Sequence, residues 1–207
     1  AGGYGGRELI VRVNALATPW GHDDLAAVAG CGADAILLPK VESAAMVNHG
    51  EELMAGAGAP DDLAIWCMME TPLGILHAEE IAFSSSRLGG LVMGTSDLAK
   101  DLHAAHTPER LPVLTSLGIC LLAARAAGVA IVDGVYLDLG DDAGFAEACR
   151  QGVELGFDGK TLIHPAQLDA ANRIFAPSPD DLALAERYIA AFDSAAGVAV
   201  VDGKIVE

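Results

Sequence analysis

Six short apolar runs recur along this chain, each closed by a polar or proline-bearing turn and followed by a helix-like segment. They lie at 8–13, 33–38, 63–69, 88–93, 129–137 and 160–164. Near-unbroken apolar runs of this length suit parallel strands buried on both faces. Strand alternating with helix means a parallel sheet, because parallel neighbours need a crossover between them. An open doubly wound sheet would carry a phosphate-binding glycine turn after its first strand, and this chain has none. The glycine-rich AGGYGGR at 1–7 precedes the first strand and is not followed by GK[ST], so it is no phosphate loop. The expected fold is therefore an α/β (β/α)8 barrel of the TIM type, its first two βα units missing from this sequence. The expected division is a barrel domain over 1–176 and a C-terminal extension or lid over 177–207. That extension reads as a helix from about 179 to 194 and a hairpin turning at Asp202-Gly203.

Residues 63–101 carry the chemistry. LAIWCMM stops at Glu70, and Thr71-Pro72 then opens a helix-like segment around 75–82; LGGLVMG stops at Thr95-Ser96-Asp97. Ligands in such folds sit at the carboxyl ends of the strands, so Glu70 and Asp97 share one rim. Two hard oxygen donors with no Cys or His beside them suit Mg²⁺. Acids at strand ends also serve simply as loop starters and helix caps, and the pattern alone leaves both readings open. Arg12, Lys40 and His164 follow other strands onto the same rim, with Glu42, Asp133 and Asp138 nearby. The histidines show no HxxH or HExxH spacing, which argues against zinc.

Composition narrows the partners. A net charge of −17 argues against nucleic acid or an anionic membrane surface. It leaves room for an anionic substrate, because one local cation can invert the potential of a site. The four cysteines lack CxxC spacing and read as reduced, buried thiols of a cytoplasmic protein. No window approaches the roughly 18 apolar residues of a membrane span.

In order along the chain, RVNALATPWGHDDL, ADAILLPKVES, MMETPLGIL, VMGTSDLAKDL, VDGVYLD, GFDGKTLIHPAQ and VVDGKIVE resemble the HpcH/HpaI aldolase and citrate lyase beta-subunit family. The branch resembled is that of the malyl-CoA and citramalyl-CoA lyases. The resemblance implies a barrel enzyme dependent on Mg²⁺ (or Mn²⁺), with coenzyme A entering as part of the substrate. It assigns Glu70 and Asp97 as metal ligands and Arg12 as the group that holds the substrate carboxylate or a thioester-enolate oxygen. Because the family uses metal rather than an imine, Lys40 becomes a substrate-binding residue of the rim; His164, by its place after a strand, is a further substrate-binding candidate there, with an orienting role as the alternative. A segment beyond the barrel covers a neighbouring subunit's site and supplies an acid, matched here by Glu207, one methylene longer than the family's aspartate.

The activity so implied is reversible carbon–carbon cleavage of a 3-hydroxyacyl-CoA such as malyl-CoA or citramalyl-CoA. Its products would be acetyl-CoA or propionyl-CoA and a 2-oxoacid, glyoxylate or pyruvate. The alternatives are a malyl-CoA thioesterase, a class II pyruvate aldolase without CoA, and a binding homologue that has lost catalysis. A homotrimer or homohexamer is expected, since each extension must cover a neighbour.

Overall fold

Parity along the strands organises the molecule. The computed structural model describes residues 4–194 and 198–206. Its centre is a six-stranded, all-parallel sheet in sequential order: β1 (Ile10–Arg12), β2 (Ala35–Leu38), β3 (Ala64–Met69), β4 (Leu88–Met93), β5 (Ala130–Asp133) and β6 (Gly159–Lys160). Along β2–β5, Ile36, Leu38, Ile65, Cys67, Met69, Leu91, Met93 and Ile131 enter the large core beneath the helices. The alternate residues Ala35, Leu37, Ala64, Trp66, Met68, Val92, Ala130 and Val132 form a second cluster with Ile10 on the concave face. Both faces are apolar because both are covered, as a curled parallel sheet requires. The sheet is thus a half-barrel of the TIM type.

The helices on the convex side follow from local signals. Between β1 and β2 runs α1 (Gly21–Ala29), and between β2 and β3 runs α2 (Ala44–Gly56), whose Ser43 hydroxyl accepts from the Met46 N–H. After β3 the expected helix around 75–82 is two short ones, α3 (Pro72–Leu76) and α4 (Ala78–Ala82), separated at His77. An unanticipated helix, α5 (Thr95–Asp101), follows β4 directly. The long helix after α5 begins at α6 (Leu114–Ala127). Arg110 adopts a left-handed conformation (φ 56°) and Leu111–Val113 make a single 3-10 turn, so the prolines at 108 and 112 stay outside the α-helical ladder. Gly128, at φ 70°, closes α6.

The last two units are α7 (Asp142–Leu155) after β5 and α8 (Leu168–Phe175) after β6. Strands β5 and β6 are shorter than their apolar runs. Beyond Asp133 the chain leaves the ladder, and Thr161 turns to donate both its N–H and its hydroxyl to the Asp133 carbonyl. The C-terminal helix α9 (Pro179–Ser194) spans the expected residues, and the hairpin appears as β7 (Ala199–Val201) and β8 (Lys204–Val206). Ala199 and Val201 pack on Tyr188 of α9, while Leu182, Ile189, Phe192, Val200 and Ile205 remain exposed. Cys67, Cys120 and Cys149 are buried free thiols as expected; Cys31 is free but exposed, because it falls in the turn after α1. No described helix is long and apolar enough to cross a membrane.

Candidate active site

Strand β3 delivers Glu70 by parity. Ala64, Trp66 and Met68 face the concave side, and Glu70 continues that series one step past the end of the strand. Thr71-Pro72 stops the ladder there: the extended Thr71 caps α3 by accepting from the Gly74 N–H, and Pro72 takes the first helical turn. Glu70 is 5% exposed. Its Oε1 accepts from the Lys40 backbone N–H at 2.9 Å. Its Oε2 lies over Gly94, where an added Cβ would meet the Glu70 Cβ and come 2.8 Å from Oε2. Glycine at 94 is therefore what lets the carboxylate lie across the end of β4.

Asp97 reaches the rim differently from the sequence expectation, which placed it at a strand end. It sits in the first turn of α5, where a negative charge is favoured by the helix dipole. The Lys40 ammonium lies 3.0 Å from Asp97 Oδ2. Lys40 adopts φ 51°, a left-handed conformation unusual for a residue with a side chain. The result is that one residue spans both acids, its main chain on Glu70 and its side chain on Asp97. Arg12, the last residue of β1, lies in step with Ile10 on the concave side. Arg12, Glu70 and Asp97 line one cavity of about 210 Å³, with Met68, Thr95, Ser96, Val135 and Thr161 completing its wall.

The electrostatics of this cavity are those of a buried carboxyl beside a second acid. Burial pushes the Glu70 carboxyl above its ordinary value, and the Asp97 charge adds to that rise. The Lys40 N–H and the charges of Lys40 and Arg12 oppose it without reversing it. Lys40 itself is raised by its hydrogen bond to Asp97, then by the charges of Asp97, Glu70 and Asp101. Among the described residues no group of three or more His, Cys, Asp and Glu side chains gathers around one point. A metal here would be held by two carboxylates and completed by water or substrate oxygens, which is the usual pattern for Mg²⁺. The donors are hard and converge on one cavity, and the residues present fit such an ion.

His164 lies elsewhere. It caps the 3-10 turn Pro165–Gln167, its Nδ1 accepting from the Ala166 N–H at 3.2 Å, and it lines a neighbouring acidic hollow with Asp138, Asp141 and Asp169. Glu207 lies outside the described residues. Asp133 ends β5 out of step with Ala130 and Val132, so it points away from the concave face and is fully buried. Thr161 and Val135 are wall residues that the sequence reading passed over; their signal was their place directly after strands β6 and β5. Another hollow, of about 620 Å³, opens at the amino ends of the strands beside Leu9, Asp34 and Ala64. It is far from this rim.

Comparison with known proteins gives the chain its family. The chain is 55% identical, over 99% of its length and 70% of theirs, to proteins of Cereibacter sphaeroides named (3S)-malyl-CoA thioesterase. It is 38% identical to the citrate lyase subunit beta of Escherichia coli, over 97% of this chain and 69% of that one. Among solved structures, CitE of Mycobacterium tuberculosis in complex with magnesium, acetoacetate and coenzyme A superposes with a TM-score of 0.77 at 32% identity, covering 96% of this chain and 72% of that chain. RipC from Yersinia pestis gives the same TM-score and identity over 84% of this chain and 80% of that one. The family model described as HpcH/HpaI aldolase/citrate lyase matches residues 3–165. This chain belongs to the HpcH/HpaI aldolase/citrate lyase family.

Proposed function

We propose that this chain is a Mg²⁺-dependent enzyme acting on a malyl-CoA-type thioester, hydrolysing it with water to free CoA and the 3-hydroxy diacid. The observation that carries this reading is the convergence of Arg12, Glu70 and Asp97 on one small cavity at the carboxyl rim. Glu70 and Asp97 would hold the ion, which supplies a Lewis acid to the substrate oxygens when bound. At about 210 Å³ the cavity suits the acid end of such a substrate and leaves the CoA arm outside. Arg12 presents a guanidinium to the substrate carboxylate or to the thioester oxygen as charge develops on it. Lys40 holds Glu70 in place through its backbone N–H and keeps a positive charge against Asp97. Hydrolysis is placed first because the relatives at 55% identity are named for it.

The citrate lyase beta subunits among the relatives favour a second reading, carbon–carbon cleavage of the same thioester to acetyl-CoA or propionyl-CoA and a 2-oxoacid. In that reaction Arg12 would hold the oxygen of the thioester enolate that carries the charge after the bond breaks. One assay separates the two: (3S)-malyl-CoA with Mg²⁺, products identified by mass. Malate and free CoA are expected. Glyoxylate and acetyl-CoA would transfer the assignment to the lyase, and turnover that persists undiminished in EDTA would overturn the metal-dependent reading altogether.

A further inference from the structure

Among the described residues Asp133 is the most heavily bonded buried side chain, and the chemistry proposed above makes no use of it. Its Oδ1 accepts from Arg110 Nη1 at 2.7 Å and from the Gly134 N–H at 2.8 Å. Its Oδ2 accepts from the same Nη1 at 2.7 Å and from Lys160 Nζ at 2.8 Å. Lys160 is as buried as Asp133, with 1% of its side chain exposed, and burial pulls its ammonium below its ordinary value. Arg110 is fixed in turn by Gln151 of α7, whose Oε1 accepts from Arg110 Nε at 2.6 Å. One carboxylate needs one cation for charge balance; this one has two. The second cation costs desolvation that neutrality alone does not call for.

Lys160 brings chain to the wall of the candidate active site, and Arg110 to the wall of the hollow beside it. Lys160 immediately precedes Thr161, whose N–H and hydroxyl donate to the Asp133 carbonyl at 2.9 and 2.8 Å, and Thr161 lines the Arg12–Glu70–Asp97 cavity. On the other side Gly134 and Val135 follow Asp133. An added Cβ at Gly134 would come 2.8 Å from Thr95 Cγ2, so this turn is seated against the start of α5 with no slack. Val135 lines the cavity and also an adjoining hollow of about 350 Å³, and that hollow is walled on its far side by Arg110 and Val113. Three separate segments, the turn at 110, the turn after β5 and the end of β6, thus hang from one carboxylate.

We propose that Asp133, Arg110 and Lys160 form a positioning unit that sets the Val135 and Thr161 wall of the cavity and thereby substrate affinity, while the Glu70 and Asp97 carboxylates are anchored separately, by Lys40. The proposal rests on reading that cavity as the substrate site. Arg110→Met and Lys160→Met each leave a neutral buried pair, Asp133 with the other cation, so both variants retain a balanced interior. In full-length protein, Mg²⁺ affinity by calorimetry is expected to stay within about twofold of the parent in both. With (3S)-malyl-CoA, KM is expected to rise about tenfold or more with a smaller change in kcat, the pattern of lost binding rather than lost chemistry. Amide exchange at 134–138 is expected to quicken in Arg110→Met and at 161–163 in Lys160→Met, with exchange at 70–76 unchanged. Mg²⁺ affinity falling in parallel with KM and melting temperature would mean a general packing role and overturn the proposal, as would an unaltered KM. If the parent protein does not turn over this thioester, the functional reading fails on its own. The exchange and Mg²⁺ measurements then decide the inference: selective quickening with unchanged metal affinity supports it, and uniform or absent change overturns it.

Discussion

Glu70 and Asp133 are two buried acids at the ends of parallel strands, and their surroundings differ in almost every respect. Glu70 lies in step with the concave-face residues of β3, accepts from the Lys40 N–H on Oε1, and shares its cavity with a second acid. Asp133 lies out of step with the concave-face residues of β5 and is bonded on both oxygens, with two cations within 2.8 Å. One acid sits beside a second acid, and the other sits between two cations. A single residue of phase along a strand separates a carboxylate available to a ligand from one consumed by the fold.

The largest expected effect tests the consumed acid. Asp133→Asn leaves Arg110 and Lys160 buried without an anion between them. Removing one partner of such a buried group typically costs about 3–5 kcal/mol. The measurement is the urea unfolding midpoint at neutral pH, where a loss below about 1 kcal/mol would show that water reaches the cluster and that the comparison with Glu70 is false.

How much of this was legible follows from the same two residues. The strands, their order and the shared rim were readable because six apolar runs separated by helix-like segments leave few topologies. Which parity faces the barrel axis was not readable, because strands buried on both faces are apolar at every position. Glu70 could be singled out by its Thr71-Pro72 stop and by the family resemblance, and Asp133 stayed ambiguous. The partner that settles Asp133 comes from Arg110, 23 residues away in a turn with no periodicity of its own. Helix α5 went unseen for a similar reason: TSDLAKD is a single short stretch with too few apolar positions to show a period. Lys40 was placed on the rim, but its double attachment to Glu70 and Asp97 depends on a left-handed backbone that LPKVES does not announce.

The next effect tests the available acid. Glu70→Gln keeps an oxygen to accept from the Lys40 N–H and removes the charge that burial and Asp97 disfavour. Stability is expected to hold or rise, by less than about 1 kcal/mol in urea unfolding. Turnover of the thioester is expected to fall about a hundredfold or more, which is about 2.7 kcal/mol of transition-state stabilisation. A destabilisation as large as that of Asp133→Asn would mean that Glu70 too belongs to the fold, and the two acids would cease to be different in kind.

The smallest effect is a pH dependence, and its sign is set by Glu70. An acid whose folded value lies above its unfolded one binds more protons in the native state between the two. Native stability therefore declines as pH rises from about 4.5, the ordinary value for this carboxyl, through the raised one. A cation bound beside Glu70 removes that decline, because it favours the ionised form that burial and Asp97 disfavour. The rise in melting temperature on adding Mg²⁺ is thus expected to be small near pH 4.5, to grow as pH increases, and to level off above the raised value of Glu70. In Glu70→Gln the same titration is expected to be flat over this window, since the raised carboxyl is gone. A Mg²⁺-induced shift that is independent of pH in the parent protein would place the ion away from Glu70 and remove the availability to a ligand that sets this acid apart from Asp133.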